Sequence, residues 1–517
     1  MLACRHLTWS LVLSMMSIAG SLQAGGSDIL VLQDGRIFSE LTLERTDGGI
    51  TIHFKQADVF LPADLVLSSI IANSPPWEPE TDEEREKFEK GLVPFDGKWM
   101  SVKRRDKLIE KRIDERREQI EDMELHRVWR NRHEVATKHF NFEFTVPEHL
   151  FAPFRERMEA YFSAFAKDWR VKQPRDLGKL TVCFYNDRQH FGQVSGASYG
   201  VLGYFRFVAP MELDFYFDRL DLRLTEEVMY HETNHYLQKL IDVDFSYPHF
   251  PGESLAEYYG ASHYDPKTKK FTTGLILEGR LAEVQRDVMA GEMMNLRRLI
   301  TTEGMYQHYT WGWTLVHFLM SEKKTAKEFK KFILALPHDK DVKRKGSIGT
   351  LKTVSAEEVL RVFMDRLDLK SEEDLQAMEK AWHLYVREEL DFVSVRGLER
   401  AALSAGRAGM RIKARRLFEE AIEGGTKNAM TFHRYAEILE RANEVTKAEE
   451  IWGRAITINP LGAEFYLSLG HMLYEHGKKD EGLKWMRLAR EIDPEVTSWG
   501  FDEDLLEKLG EGEEEEN

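Results

Sequence analysis

Apolar and polar positions alternate between residues 28 and 72, in the runs Ile29-Leu-Val-Leu32, Ile50-Thr-Ile-His-Phe54 and Val66-Leu67. Turn signals at Asp34-Gly35 and Asp47-Gly-Gly49 separate them. A period of two with such punctuation predicts short strands, so 28–72 reads as a small β-barrel or sheet. Ser74-Pro-Pro-Trp-Glu-Pro79 then breaks the chain. Residues 101–134 are dense in charge and predict a long exposed helix, which makes 73–136 a charged helical connector. From Phe140 onward strand-like and helix-like patterns alternate irregularly, as in an α+β domain over 137–392 whose second half is helical. Within it, Met211-Glu-Leu-Asp-Phe-Tyr-Phe217 puts Met211, Leu213, Phe215 and Phe217 on one face of a strand. As an edge strand beside a cleft, its free backbone groups could bind an extended peptide by strand addition.

The run Leu224–Leu240 contains neither Pro nor Gly, and Leu224, Val228, Met229, Tyr236, Leu237 and Leu240 supply the apolar stripe of a buried helix. Thr225 suits the N-cap, with Glu226 and Glu227 at the positive end of the helix dipole. Beyond residue 396 the pattern repeats. Ala414, Phe418 and Ala421 recur as Ala448, Trp452 and Ala455 and again as Gly482, Met486 and Ala489, with an offset of 34 residues both times. Pro460 and Pro494 close two of the units, and Ala436 and Gly470 precede them at a small-residue position. This array over 396–495 resembles the tetratricopeptide repeat, an α-helical solenoid of paired helices, and the resemblance implies a protein partner.

Composition narrows the setting. Met1–Ala24 has Arg5 and His6 ahead of the apolar stretch Leu11–Ala19 and a cleavage site after Leu22-Gln-Ala24, which reads as a secretory signal peptide. The apolar stretch is too short for a membrane span. With the signal removed only Cys183 remains, so no internal disulfide can form, as suits a bacterial periplasmic or secreted protein. A net charge of −16 argues against nucleic acid as a partner. The tail 496–517, rich in Glu, reads as solvated and acidic.

The chemistry concentrates in His231-Glu-Thr-Asn-His235. On a helix His231 and His235 lie one turn apart on one face and could offer two imidazoles to one metal ion, with Glu232 beside them as the base for an activated water. Two His and a water leave a tetrahedral zinc one ligand short. A third His in the H-E-x-x-H-x-x-G-x-x-H pattern is excluded, because Gln238 and Ile241 occupy those positions. The other source is a Glu from a following helix. In Pro248-His-Phe-Pro-Gly-Glu-Ser-Leu-Ala-Glu-Tyr-Tyr-Gly260, Pro251 and Gly252 mark a turn and Glu253 opens a short helix. Glu253 could ligate the metal while Glu257, one turn on, accepts the spare N–H of a ligand His. His249, His263, His308 and His317 read as surface or satisfied core histidines, His249 being nearest to the ligands.

H-E-T-N-H followed at this spacing by E-S-L-A-E-Y-Y resembles the gluzincin metallopeptidases, and most of all the peptidase-MA-like group, whose second motif reads E-G-L-A-E-Y. Ser254 stands where that group has Gly. Tyr309-Thr-Trp-Gly-Trp-Thr-Leu-Val-His-Phe-Leu319 resembles the family's Y-A-x-x-W-A-L-V-H-F-L helix. The resemblance implies Zn2+ held by His231, His235 and Glu253, Glu232 as general base, Glu257 behind a ligand, and Tyr309 as a stabiliser of the oxyanion. It implies a gluzincin-like α+β domain acting on a peptide or protein substrate, preceded by a β module similar to short SH3-like domains. The alternative is a non-catalytic scaffold that keeps the fold and binds through its repeats, and the presence of Glu232 favours the enzyme.

Overall fold

The computed structural model describes residues 28–494 apart from 47, 72–77, 96, 199, 208–209 and 347–350, with positions 496, 505 and 508–509 beyond them. The expected signal peptide and nearly all of the acidic tail lie outside the described residues. The chain divides into two compact units, one built from 1–122, 460–474 and 478–517, the other from 123–459 with 475–477.

In the first unit the alternating segment forms β1 (Asp28–Leu32), β2 (Ile37–Leu41), β3 (Leu43–Thr46), β4 (Gly49–His53), β5 (Asp58–Pro62) and β6 (Val66–Ile70). They make two three-stranded sheets, ordered β2-β1-β6 and β3-β4-β5. Alternation does its expected work: Ile50, Ile52, Val59 and Leu61 point inward while their neighbours do not. The buried Asp28 carboxylate accepts the Leu43 N–H at 2.8 Å and so joins the two sheets. The next stretch is less uniform than its charge predicts. Between α1 (Asp82–Glu89) and α2 (Val102–His126) lies a hairpin of β7 (Leu92–Phe95) and β8 (Lys98–Ser101). Gly97, in the left-handed region at φ +70°, turns this hairpin, and Val93 gives it a buried anchor. Along α2 only Ile120 is buried, as a helix polar on every side requires.

The second unit is built on a five-stranded sheet of β9 (His133–Ala136), β10 (Phe140–Phe144), β11 (Leu180–Tyr185), β12 (Gly203–Arg206) and β13 (Glu212–Tyr216), in the order β12-β13-β11-β10-β9. β9 therefore belongs to this sheet rather than to a helical connector. The three inner strands are parallel and the outer two antiparallel. Parallel neighbours need crossovers, which α3 (Glu148–Trp169) and α4 (Arg188–Ser195) supply. One sheet face, carrying Phe142, Val182, Phe184, Leu213 and Phe215, joins the main core with Phe154 and Met158 of α3. β13 is not the edge strand that its alternation suggested. It lies between β11 and β12, so strand addition to it is excluded.

The rest of this unit is helical: α5 (Leu222–Gln238), α6 (His249–Gly260), then β14 (His263–Asp265) paired with β15 (Lys270–Thr272), and α7 (Glu278–Ala290), α8 (Leu296–Thr301), α9 (Gln307–Ser321) and α10 (Lys323–His338). A two-residue pairing of β16 (Arg344–Lys345) with β17 (Thr353–Val354) leads to α11 (Ala356–Arg366) and α12 (Glu372–Glu388). Two helical hairpins complete this unit, α13 (Val395–Arg407) with α14 (Arg411–Glu423) and α15 (Ala429–Arg441) with α16 (Val445–Ile458), and the hairpin of α17 (Ala463–Glu475) with α18 (Lys479–Ile492) falls almost wholly in the first unit. First helices begin at 395, 429 and 463 and second helices at 411, 445 and 479, a strict period of 34. Ala402, Ala436 and Gly470, one per unit, are buried small residues that let paired helices approach. Along the sequence, a small β region thus comes first and a helical stretch consistent with a tetratricopeptide-like array comes last.

Candidate metal centre

The segment carrying His231 and His235 is helical because nothing in it interrupts the backbone ladder, and because a side chain caps it. That cap is Asp221, whose carboxylate accepts the Leu224 N–H at 3.0 Å, so α5 starts before the expected Thr225. Thr225 is buried instead, and its hydroxyl accepts the Asp218 N–H at 2.9 Å. α6 also starts early, at His249. Pro251 and Gly252 read as a turn but sit in its first turn, where N–H groups need no helical acceptor and proline is tolerated. Glu253 consequently leaves α6 from inside the helix.

Helices α5 and α6 pack together and bring the three expected ligands to one point. Glu253 Oε2 lies 3.2 Å from His231 Nε2 and 3.4 Å from His235 Nε2. Around a tetrahedral zinc with bonds near 2.0–2.1 Å, ligand atoms stand about 3.3 Å apart. The same oxygen is buried and has no hydrogen-bond partner, a state that an apolar interior penalises unless a cation completes it. Donor set and spacing both fit a tetrahedral divalent metal. Glu232 offers a carboxylate oxygen 4.0 Å from His231 Nε2.

Behind the ligands, Glu257 Oε1 lies 3.5 Å from His231 Nδ1, the position of an acceptor that fixes the ring. A residue that no local spacing announces holds Glu257 in turn: Arg280 of α7 donates to it from Nη2 at 2.6 Å and Nε at 3.1 Å. Arg280 also donates to the Tyr306 hydroxyl at 3.0 Å and lies over the Tyr309 ring. Tyr309 comes from α9, its ring 5.9 Å from that of His231 and stacked on it. His249 and His308 form a pair, Nδ1 to Nδ1 at 2.6 Å, while His308 Nε2 donates to the Leu299 carbonyl at 2.8 Å. Burial pulls the His308 imidazole down to about 4, so it stays neutral and accepts from His249. His308 is thus a satisfied core histidine, and His317 bonds the Tyr385 hydroxyl at 2.8 Å.

Close approach of α6 and α9 sets this geometry. A Cβ on Gly312 would run into the Ser254 hydroxyl and come within 3.0 Å of the Ser254 Cβ. Ser254 fills the space that Gly312 vacates and donates to the His308 carbonyl at 3.0 Å. On the other side of α5, β12 approaches so closely that a Cβ at Gly203 would meet Val228 Cγ1 at 2.7 Å. Among the described residues β12 pairs with β13 alone, so the free sheet edge near the ligands belongs to β12. Its Phe205 ring stacks 6.3 Å from that of His235.

The electrostatics call for positive charge. Burial lowers the His231 imidazole, but the negative charges of Glu257, Glu253 and Glu232 outweigh it and carry the group to about 9. Burial opposes the charged Glu253 carboxylate, yet the two histidines hold it well below the usual carboxylate range. Burial raises Glu232, against the pull of His231 and His235, which favours a carboxylate able to take up a proton. Burial, with the charges of Glu253, Glu232 and Glu257, raises Tyr309, so its hydroxyl keeps its proton at neutral pH.

No protein-family model and no curated protein matches the chain. Among solved structures, a crystal structure of MamA is 19% identical and covers 27% of this chain and 78% of its own at a TM-score of 0.20. A second, of MamA protein, is 16% identical and covers 43% and 98% at a TM-score of 0.21. At those TM-scores the likeness carries no argument about this chain.

Proposed function

We propose that this chain is an exported zinc-dependent hydrolase of gluzincin type that cleaves peptide amide bonds. One observation carries the reading: the buried Glu253 Oε2 accepts no well-aligned hydrogen bond and sits at tetrahedral-ligand distance from both His231 Nε2 and His235 Nε2. His231, His235 and Glu253 would hold the zinc, which when bound supplies Lewis acidity and makes a water more acidic. Glu232 takes the proton of the attacking water and returns it to the leaving amine. Glu257, clamped by Arg280, keeps His231 in the tautomer that presents Nε2 to the ligand point. The Tyr309 hydroxyl donates to the oxyanion of the tetrahedral intermediate. An extended substrate aligns along the free edge of β12.

A second reading is supported by the helical hairpins, whose 34-residue period suits protein binding. On that reading the chain is a non-catalytic scaffold that docks partners on its repeats. Among the described residues no helix is long and apolar enough to cross a membrane. Hydrolysis of a mixed peptide library by the zinc-supplemented protein separates the two. Cleavage that Glu232→Gln reduces at least about a hundredfold supports the enzyme. Equal, background-level signals from both proteins leave the scaffold reading.

A further inference from the structure

The cleft that contains His231 and Glu232 has a volume of about 710 Å³ and extends to α13, the first repeat helix. α13 packs on α7 through Arg286, whose Nη1 lies 3.4 Å from the Ser404 hydroxyl. Arg286, Arg400 and Arg407 all line this cleft, in a chain whose net charge is −16. Arg400 and Arg407 are two turns apart on one face of α13.

Nearby acids are already committed. Asp221 caps α5 and takes Arg396 and Arg400. Glu227 takes Arg223 and Arg396. Glu283 accepts from Tyr306 and pairs with Arg280. The acid paired with Arg286 among the described residues is Asp287, at 3.3 Å, which also accepts from Trp311. Among the described residues Arg407 has no acidic partner within ion-pair distance. Burial and the charge of Arg407 work against the Arg400 cation, and the Asp218 carboxylate works for it. Arg286 and Arg400 are each paired with one acid, so Arg407, beside Arg400 and with no acid of its own, is the cation at this end of the cleft left open to an anion from outside.

We infer that the Arg286, Arg400 and Arg407 end of the cleft receives a carboxylate of the substrate, so that the substrate class is a peptide with an anionic group at that end. This rests on the hydrolase reading for its chemistry, with Glu232 at one end of the bound segment and the guanidinium cluster at the other. The carboxylate has two sources, an Asp or Glu side chain or a free C-terminus. Arginine is suited to either because its fork donates two parallel hydrogen bonds.

Three octapeptide probes test it on the full-length zinc-supplemented protein: one with Glu at alternate positions and an amidated end, one with Gln in their place and a free end, and one with Gln and an amidated end. Hydrolysis is read on the unaltered protein, and binding by fluorescence anisotropy on Glu232→Gln. At least one anionic probe should exceed the neutral probe about tenfold or more in kcat/KM and in affinity. Which anionic probe does so identifies the source of the carboxylate. Arg407→Glu and Arg286→Ala should bring the ratio towards one, and Arg407→Lys should restore part of it. Equal hydrolysis and binding of all three probes overturns the inference and leaves the hydrolase reading intact. Selective binding of an anionic probe with none cleaved overturns the hydrolase reading and supports the anion site. Neither binding nor cleavage overturns both.

Discussion

Replacing Glu257 by Gln removes one charge while keeping the side chain's volume, and the structure sets the size of the effect. Glu257 is 4% exposed and receives two hydrogen bonds from Arg280, at 2.6 and 3.1 Å. Charge-assisted hydrogen bonds each contribute about 1.5–3 kcal/mol. Arg280 keeps some compensation, because its side chain is 28% exposed and retains the Glu283 carboxylate at 3.6 Å. The expected loss is therefore near the lower end, about 2 kcal/mol. For a unit of this size that lowers the melting temperature by about 3 °C. A second effect follows from the 3.5 Å contact with His231 Nδ1. Removing the group that fixes a ligand histidine weakens zinc affinity by about 10- to 100-fold. Thermal unfolding of the metal-free protein reads the first effect, and competition with a chromogenic zinc chelator reads the second. An unchanged melting temperature would refute the assigned ion pair. Unchanged zinc affinity would refute the role given to Glu257 behind His231.

Three further outcomes are expected. Gly312→Ala should destabilise the second unit by about 1–3 kcal/mol through the clash with Ser254, and the double variant Ser254→Gly/Gly312→Ala should regain most of that in denaturant unfolding. Additive losses would contradict the close approach of α6 and α9. Tyr309→Phe should lower kcat by about 10- to 100-fold while leaving zinc content unchanged, and an unchanged kcat would remove Tyr309 from the chemistry. Asp214, on the sheet face away from the main core, is raised from 3.8 to about 7, by burial first and then by the charge of Glu212, against a hydrogen bond from Tyr185. Its folded-state value lies above the unfolded one, so its contribution to stability is full below about pH 4 and is lost as pH rises through about 7. Asp214→Asn should thus gain stability relative to the parent between pH 5 and pH 8, on the order of 2 kcal/mol by chemical denaturation at the two values. Parallel pH profiles would contradict this.

What the sequence made legible was local or periodic. Two histidines four apart on a helix share a face whatever surrounds them, and a 34-residue period survives any detail of packing. The turn signal at Pro251-Gly252 misled as to where α6 starts, because a prohibition that applies inside a helix does not apply to its first turn. Thr225 looked like a cap, yet Asp221 stood four residues earlier and took that role. Strand alternation in β13 identified its buried face but not its neighbours, and the four residues of β12 that cover it are too few to announce a strand. Arg280 was invisible for a different reason. It reaches Glu257 across 23 residues of chain, and only the packing of α7 against the site makes it a partner. The His249–His308 pair, 59 residues apart, is hidden in the same way. Ala402 completes the small-residue series of the repeats, and its signal was present in the sequence at the same 34-residue offset from Ala436.

The central claim is that His231, His235 and Glu253 form one zinc site. Metal analysis of the purified protein after zinc loading and gel filtration tests it most directly, with Glu253→Ala measured in parallel. The account predicts one zinc per chain in the parent, near none in the variant, and a melting temperature that rises when zinc is added to the metal-free parent. Zinc at background level in the parent, with a melting temperature that zinc does not move, would contradict it.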